Sequence, residues 1–345
     1  MTILDVLAAE ARERVAEARA RVPLDDLRRR ALDTPASDGF PFERALARPG
    51  LSFICEVKRA SPSKGLIAPY FPYAAIARDY EAAGAAAISV LTEPRHFLGR
   101  DAYLAEIARV ATVPLLRKDF TVDAYQVVEA RALGASAVLL ICAILSDTQL
   151  GEFLGLAESL GLSALTEAHT AAEVERAVRA GARVIGVNNR NLHDFTVDTG
   201  TSAALRALVP PGRLFVAESG VTSPDDVATA VRQGADAVLV GEALMRADDR
   251  QAALSELRAA SWVTPAVKIC GITRAGEVAV LNEVRPEYAG FVFAPSSRRY
   301  VEPATAASLR SLLDPRITTV GVFMDAGLAE VRAVVDSGAV TVVQL

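Results

Sequence analysis

The sequence predicts an α/β fold: a (β/α)8 TIM barrel with an N-terminal helical extension, followed by an incomplete second (β/α) barrel. Three observations carry this. From Ser52 onward, near-continuous apolar runs alternate with amphipathic stretches at a steady rhythm. Strands that are apolar on both faces belong to a parallel sheet covered by helices. The first series holds eight such units, and eight units closing on themselves give a barrel of about 250 residues. The rival, a doubly wound open sheet, usually carries a glycine-rich dinucleotide turn after its first strand, and none is present.

Residues 1 to about 50 set Leu, Val and Ala against Arg and Glu at helical spacing, as in LDVLAAEARERVAEARARV, and predict one or two amphipathic helices. The segment ALDTPASDGFPFERALARPG then breaks helix with Pro and Gly. The helices are placed either over the barrel mouth or under its lower face. The strands predicted next are SFICEVK, AAISVL, VPLLRKD, AVLLIC, SALTEA, VIGVNN, LFVAESG and AVLVG. Between them lie helices such as PYAAIARDYEAAG, VDAYQVVEARALG, TAAEVERAVRAG and SPDDVATAVRQG. Gly84, Gly134, Gly181 and Gly234 close these helices, because glycine accepts the left-handed backbone of a helix C-terminus. After Ala260 the link SWVTPA leads to a shorter series. Its strands are VKICGI, YAGFVF, TTVGVF and TVVQL, separated by three helical stretches. The expected division is therefore 1–260 and 261–345. Half a barrel leaves two unpaired edges, so either the chain belongs to a longer parent or the tail docks elsewhere.

Composition narrows the function. The 345 residues are 51% apolar and 23% charged, a mix that builds a full core. Net charge is −5 and the arginines are scattered among acids, which argues against a nucleic-acid surface. The longest apolar stretch, Ala135 to Leu145, is too short to cross a bilayer. The N-terminus meets charge at Asp5 and has no signal core. Cys55, Cys142 and Cys270 show no CxxC spacing, which fits a reducing cytosol. His96, His169 and His193 show no metal-ligand spacing, so no metal is expected. Only four of the 37 basic residues are lysine, and each sits in a short motif: Lys58 and Lys64 in CEVKRASPSKG, Lys118 in LRKDF, Lys268 in VKICGIT. Arginine stays protonated, whereas a buried lysine shifts its pKa and gives up a proton. Lysine retained against an arginine-rich background therefore points to proton transfer or point-charge recognition.

Functional residues of a barrel sit at the C-terminal strand ends. Glu56 and Lys58 close the first strand on one face. Lys118 ends the third, Glu167 the fifth, Asn188 the sixth and Glu218 the seventh. Each alone reads equally well as a solvated strand end. Six converging on one rim do not, because buried charges need partners. The last two turns suggest a phosphate cradle. AESGVTSPDD offers Ser219 and Gly220 before a helix marked by Ser223 and Pro224, and VLVGEALM offers Gly241 before a short helical turn.

CEVKRASPSKG, ISVLTEP, LRKDF, LTEAH, IGVNNRNL, AESG and VLVGEALM, in this order and spacing, resemble indole-3-glycerol phosphate synthase across essentially all of residues 1–260. VKICGIT, GFVFAPSSRRYV and VGVFMD resemble phosphoribosylanthranilate isomerase. The two enzymes act in succession in tryptophan synthesis and occur fused in this order. The resemblance implies a cofactor-free lyase that closes the indole ring of an anthranilate-substituted deoxyribulose phosphate, losing CO2 and then water. It gives Lys118 protonation of the ketone oxygen, and gives Lys58 the substrate carboxylate and a proton for dehydration. Two close ammonium groups are expected to depress each other's pKa. Glu167 is implied as general base with Glu56 assisting, and Glu218 and Asn188 as positioning groups, Arg190 supporting Asn188. Ser61, Ser219, Gly220, Gly241 and Glu242 match phosphate-contacting positions, Glu242 through its backbone N–H alone. Leu91, Phe97, Phe120 and Leu139 match the pocket for the aromatic ring; ordinary barrel packing explains Leu139 equally well. Lys64 either closes a loop over the site or is solvated.

In the second series the resemblance makes Cys270 a general base and Arg299 a substrate-binding residue. The family's general acid and its phosphate loops fall beyond Leu345, so no isomerase activity is expected of these 345 residues. Two other functions remain in view: a Schiff-base phosphosugar aldolase, and a non-catalytic module that docks through residues 262–345. The sequence assigns no oligomeric state.

Overall fold

A computed structural model describes residues 3–34, 39–191, 195–261, 267–315 and 317–345; the SWVTPA link and His193 lie largely or wholly outside them. The chain divides into two compact units, Met1–Trp262 and Val263–Leu345.

In the first unit eight strands run β1 (Ser52–Val57), β2 (Ala87–Leu91), β3 (Leu115–Lys118), β4 (Ala137–Ile141), β5 (Ser163–Ala168), β6 (Val184–Asn188), β7 (Leu214–Glu218) and β8 (Ala237–Val240). They close as one parallel barrel in sequential order, with β1 paired to both β2 and β8. Side chains alternate across each strand. Ile54, Leu116, Leu139, Leu165, Val184, Val216 and Leu239 fill the barrel interior. Phe53, Cys55, Val57, Ile88, Val90, Leu140 and Ile185 pack outward under the helices. Each strand is thus buried on both faces, which explains the unbroken apolar runs. Glu56, Lys58, Lys118, Glu167, Asn188 and Glu218 continue the inward set one or two steps beyond its apolar layer. Gly84, Gly134, Gly181 and Gly234 all have positive φ at the helix ends.

Among the described residues, the N-terminal segment forms three helices rather than one or two: α1 (Ile3–Arg21), α2 (Leu24–Asp33) and α3 (Pro41–Leu46). Pro41 is what the sequence reading missed: it stands at the start of α3, where a missing N–H costs nothing. The left-handed Phe40 (φ 53°) turns the chain into it. Phe42 and Leu46 pack with Ile54, Ala87, Ala137, Val184 and Ala237 and plug the lower end of the barrel. Ile3, Leu4 and Leu7 of α1 line the cavity at the opposite end. Both placements are therefore occupied, by different helices. A short antiparallel hairpin, Ala60–Ser61 with Gly65–Leu66, was also not foreseen; it follows β1.

The second unit is an open four-stranded parallel sheet of β9 (Lys268–Cys270), β10 (Tyr288–Val292), β11 (Thr318–Val322) and β12 (Val342–Gln344) in that order. It has its own core, including Ile272, Leu281, Phe291, Phe293, Leu309 and Phe323.

Candidate active site

The six inward polar groups of the first unit line one cavity of about 630 Å³ at the C-terminal end of the barrel. Strand register sets their heights: Lys118 lies beside Leu91, Glu167 beside Ile141, and Asn188 beside Glu218. Lys118 Nζ is 3.4 Å from Glu167 Oε2 and 3.9 Å from Glu218 Oε2. Lys58 is ion-paired with Glu56. Asn188 Nδ2 donates to Glu167 Oε1 at 3.1 Å, and its Oδ1 accepts from Ser219 Oγ at 2.9 Å and from the Arg190 backbone N–H at 3.0 Å. Arg190 thus supports Asn188 through its backbone, while its guanidinium donates to the Phe195 carbonyl at 3.1 Å.

The charges divide sharply. Burial disfavours the Lys118 ammonium, but the Glu167, Glu218 and Glu56 carboxylates outweigh it and raise the lysine's pKa. This corrects the expectation of a depressed Lys118 pKa: carboxylates outnumber ammonium groups here, and Lys58 is ion-paired with Glu56. Burial also opposes ionisation of Glu167, yet Lys118, His169 and Asn188 hold its pKa below the usual carboxyl range. Glu218 is pushed well above that range by burial and then by the Glu167 charge. Its Oε1 is buried with no hydrogen-bond partner among the described residues. Gly186, on the neighbouring β6, has no Cβ because that atom would occupy the space of Glu218 Oε1.

Across the cavity lie the turns after β7 and β8. Ser219 and Gly220 both have positive φ (64° and 92°), and the helix Pro224–Arg232 begins from the Ser223 cap. Gly241 precedes the short helix Glu242–Arg246. The Glu242 carboxylate is turned away to Arg246 (3.0 Å) and Lys64 (3.6 Å). Backbone N–H groups at two such turns suit a phosphate dianion. Ser61 lines the same cavity from the hairpin after β1. The remaining wall is apolar: Leu91, Leu139, Phe97 and Phe120, the two rings 6.1 Å apart. Leu139 is both a lining residue and part of the barrel core.

Sequence reading missed several contributors. His169, two residues beyond Glu167 on the same parity, was legible from spacing alone. Asp119, directly after Lys118, is buried and receives both Arg14 guanidinium nitrogens (2.8 and 3.0 Å) and the Thr92 hydroxyl (2.8 Å). That pair ties α1 to the βα loop carrying Phe120, and no local signal announces a partner 105 residues away. In the second unit, Arg299 donates to the Cys270 carbonyl at 3.1 Å and its side chain lies over Gly271.

A closed (β/α)8 barrel with a lysine–carboxylate cluster facing two glycine turns at its C-terminal mouth has the architecture of a barrel enzyme. Comparison with known proteins makes this specific. Residues 4–257 match the model of the family described as "Indole-3-glycerol phosphate synthase", and residues 267–345 match that of "N-(5'phosphoribosyl)anthranilate (PRA) isomerase". An indole-3-glycerol phosphate synthase of Ruminiclostridium cellulolyticum is 50% identical over 256 residues, covering 74% of this chain and 98% of that protein. Indole-3-glycerol phosphate synthase 1 of Streptomyces coelicolor is 49% identical over 261 residues, covering 75% and 96%. A crystal structure of 3-hexulose-6-phosphate synthase is similar in fold, with TM-score 0.51 and 16% identity over 61% of this chain and all of that one. The chain belongs to the indole-3-glycerol phosphate synthase family and carries, in the same polypeptide, a segment of the isomerase family.

Proposed function

We propose that the first unit forms indole-3-glycerol phosphate from 1-(2-carboxyphenylamino)-1-deoxyribulose 5-phosphate. The observation that carries this is the charged Lys118 between two unlike carboxylates, facing an aromatic wall on one side and an anion cradle on the other. The phosphate sits on the backbone of Ser219, Gly220, Gly241 and Glu242, with Ser61 closing the near side. The aromatic ring lies against Leu91, Phe97, Phe120 and Leu139, and Lys58 meets its carboxylate.

The ring carbon bearing that carboxylate attacks the ketone carbon, and Lys118 delivers its proton to the ketone oxygen. An alkoxide is far more basic than any lysine, so a raised pKa does not block transfer; it guarantees that the acid arrives protonated. CO2 leaves, and its bonding electrons restore the aromatic ring. The new hydroxyl then departs as water on a proton from Lys58, as Glu167, with Glu56 nearby, removes the balancing proton from the ring being formed. Glu218, held neutral, offers an O–H to substrate oxygens, and Asn188 fixes Glu167.

No helix among the described residues is long and apolar enough to cross a membrane, and we place the reaction in the cytosol. Adding this substrate to the purified chain and following indole fluorescence tests the assignment. Turnover is expected, and its absence in folded protein would overturn it.

A further inference from the structure

Glu167 and Glu218 are buried near one another at the ends of adjacent-but-one strands, and something must decide which of them is ionised. Lys118 decides it only in part: it hydrogen-bonds Glu167 at 3.4 Å but also reaches Glu218 at 3.9 Å. Asn188, a neutral donor, and His169, a cation when protonated, face Glu167. His169 Nε2 lies 3.5 Å from Glu167 Oε1, in ion-pair range, and its Nδ1 lies 3.6 Å from Glu173 Oε2. Glu173 is fixed in turn, because the same oxygen accepts the His169 backbone N–H at 2.7 Å at the start of the helix Ala171–Arg179. The imidazole is mostly buried and its Nε2 has no hydrogen-bond partner among the described residues.

We propose that His169 is a positioning residue for the reaction: held between Glu167 and Glu173, it makes Glu167 rather than Glu218 the charged member of the buried pair, and so the base. This rests on the assignment of Glu167 as base made above. A ring flanked by two carboxylates is favoured as imidazolium. Burial works against that charge, but Glu173 and Glu167 outweigh it and raise the His169 pKa, against an opposing contribution from Lys118. The other charged group beside this cluster is Arg176 of the same helix, one turn after Glu173, which also donates to the Cys142 and Leu145 carbonyls. The buried Cys142 thiol is pushed up to about 12, chiefly by burial, and stays neutral. Two carboxyl groups driven apart in pKa by unlike surroundings divide acid and base roles between them. The sign follows: the His169 charge lowers the Glu167 pKa, so losing it moves the acid limb of the rate profile to higher pH.

The test compares kcat/KM against pH for wild type, His169→Gln, Glu173→Gln and Glu167→Gln in the full chain. His169→Gln is expected to shift the acid limb upward by about one unit or more, with an approximately tenfold loss below it. Glu173→Gln keeps an acceptor for the His169 N–H but removes the charge. It should lower the pH at which the His169 ring signal titrates by NMR, because Glu173 is one of the groups that raise the His169 pKa. Glu167→Gln should abolish turnover. An unchanged limb in His169→Gln, with Glu167→Gln inactive, overturns the role of His169 alone. Should His169→Gln not fold, an unchanged ring titration in Glu173→Gln overturns it equally. Wild-type turnover in Glu167→Gln would instead remove the base assignment itself, and this proposal with it.

Discussion

Lys118 keeps its proton because the surrounding carboxylates, Glu167 foremost, outweigh the cost of burying an ammonium group. That single balance separates an acid from an amine nucleophile. A Schiff-base lysine must present a neutral nitrogen, which this surrounding disfavours. Borohydride added during turnover should therefore trap no covalent adduct, and mass spectrometry should find Lys118 and Lys58 unmodified; a reduced adduct on either would favour an aldolase. Which residues gather at the barrel mouth was legible from strand-end position and parity. Their charge states were not. The sequence places two lysines at one rim, but the ion pair of Lys58 with Glu56, and the two carboxylates around Lys118, depend on which strands stand side by side.

At the scale of elements, the proposed phosphate contacts fall in the βα turns. Gly220 has φ 92°, and a Cβ there would lie 2.8 Å from Thr199 Cγ2 and 3.1 Å from Val197 Cγ1. A side chain in that conformation strains the loop by about 1–3 kcal/mol. Gly220→Val is expected to raise KM for the phosphorylated substrate by about tenfold or more, and to raise it more than it lowers kcat. Steady-state kinetics read this directly, and an unchanged KM would remove the turn from the phosphate site. Strands were legible because burial on both faces leaves no polar interruption. The N-terminal helices were less so: their boundaries rest on a left-handed Phe40 and on an Arg14–Asp119 pair that only the closed barrel assembles.

For the whole molecule, the count of eight apolar runs fixes a closed barrel, since a parallel sheet of that length with alternating helices has no exposed strand left to protect. Four further runs give an open sheet with β9 and β12 at its edges. The two units have separate cores that share no residue. Cys270→Ala, in the second core's unit, should leave the rate of indole formation unchanged in the fluorescence assay. A large loss would show that the first unit's chemistry draws on the second.

The central claim is that the Lys118 ammonium, set between an ionised Glu167 and a neutral Glu218, supplies the proton for ring closure. Steady-state indole fluorescence on Lys118→Ala, with circular dichroism confirming a folded barrel, tests it most directly. Turnover is expected to fall by about 10²–10⁴-fold. Turnover at the wild-type rate would contradict it.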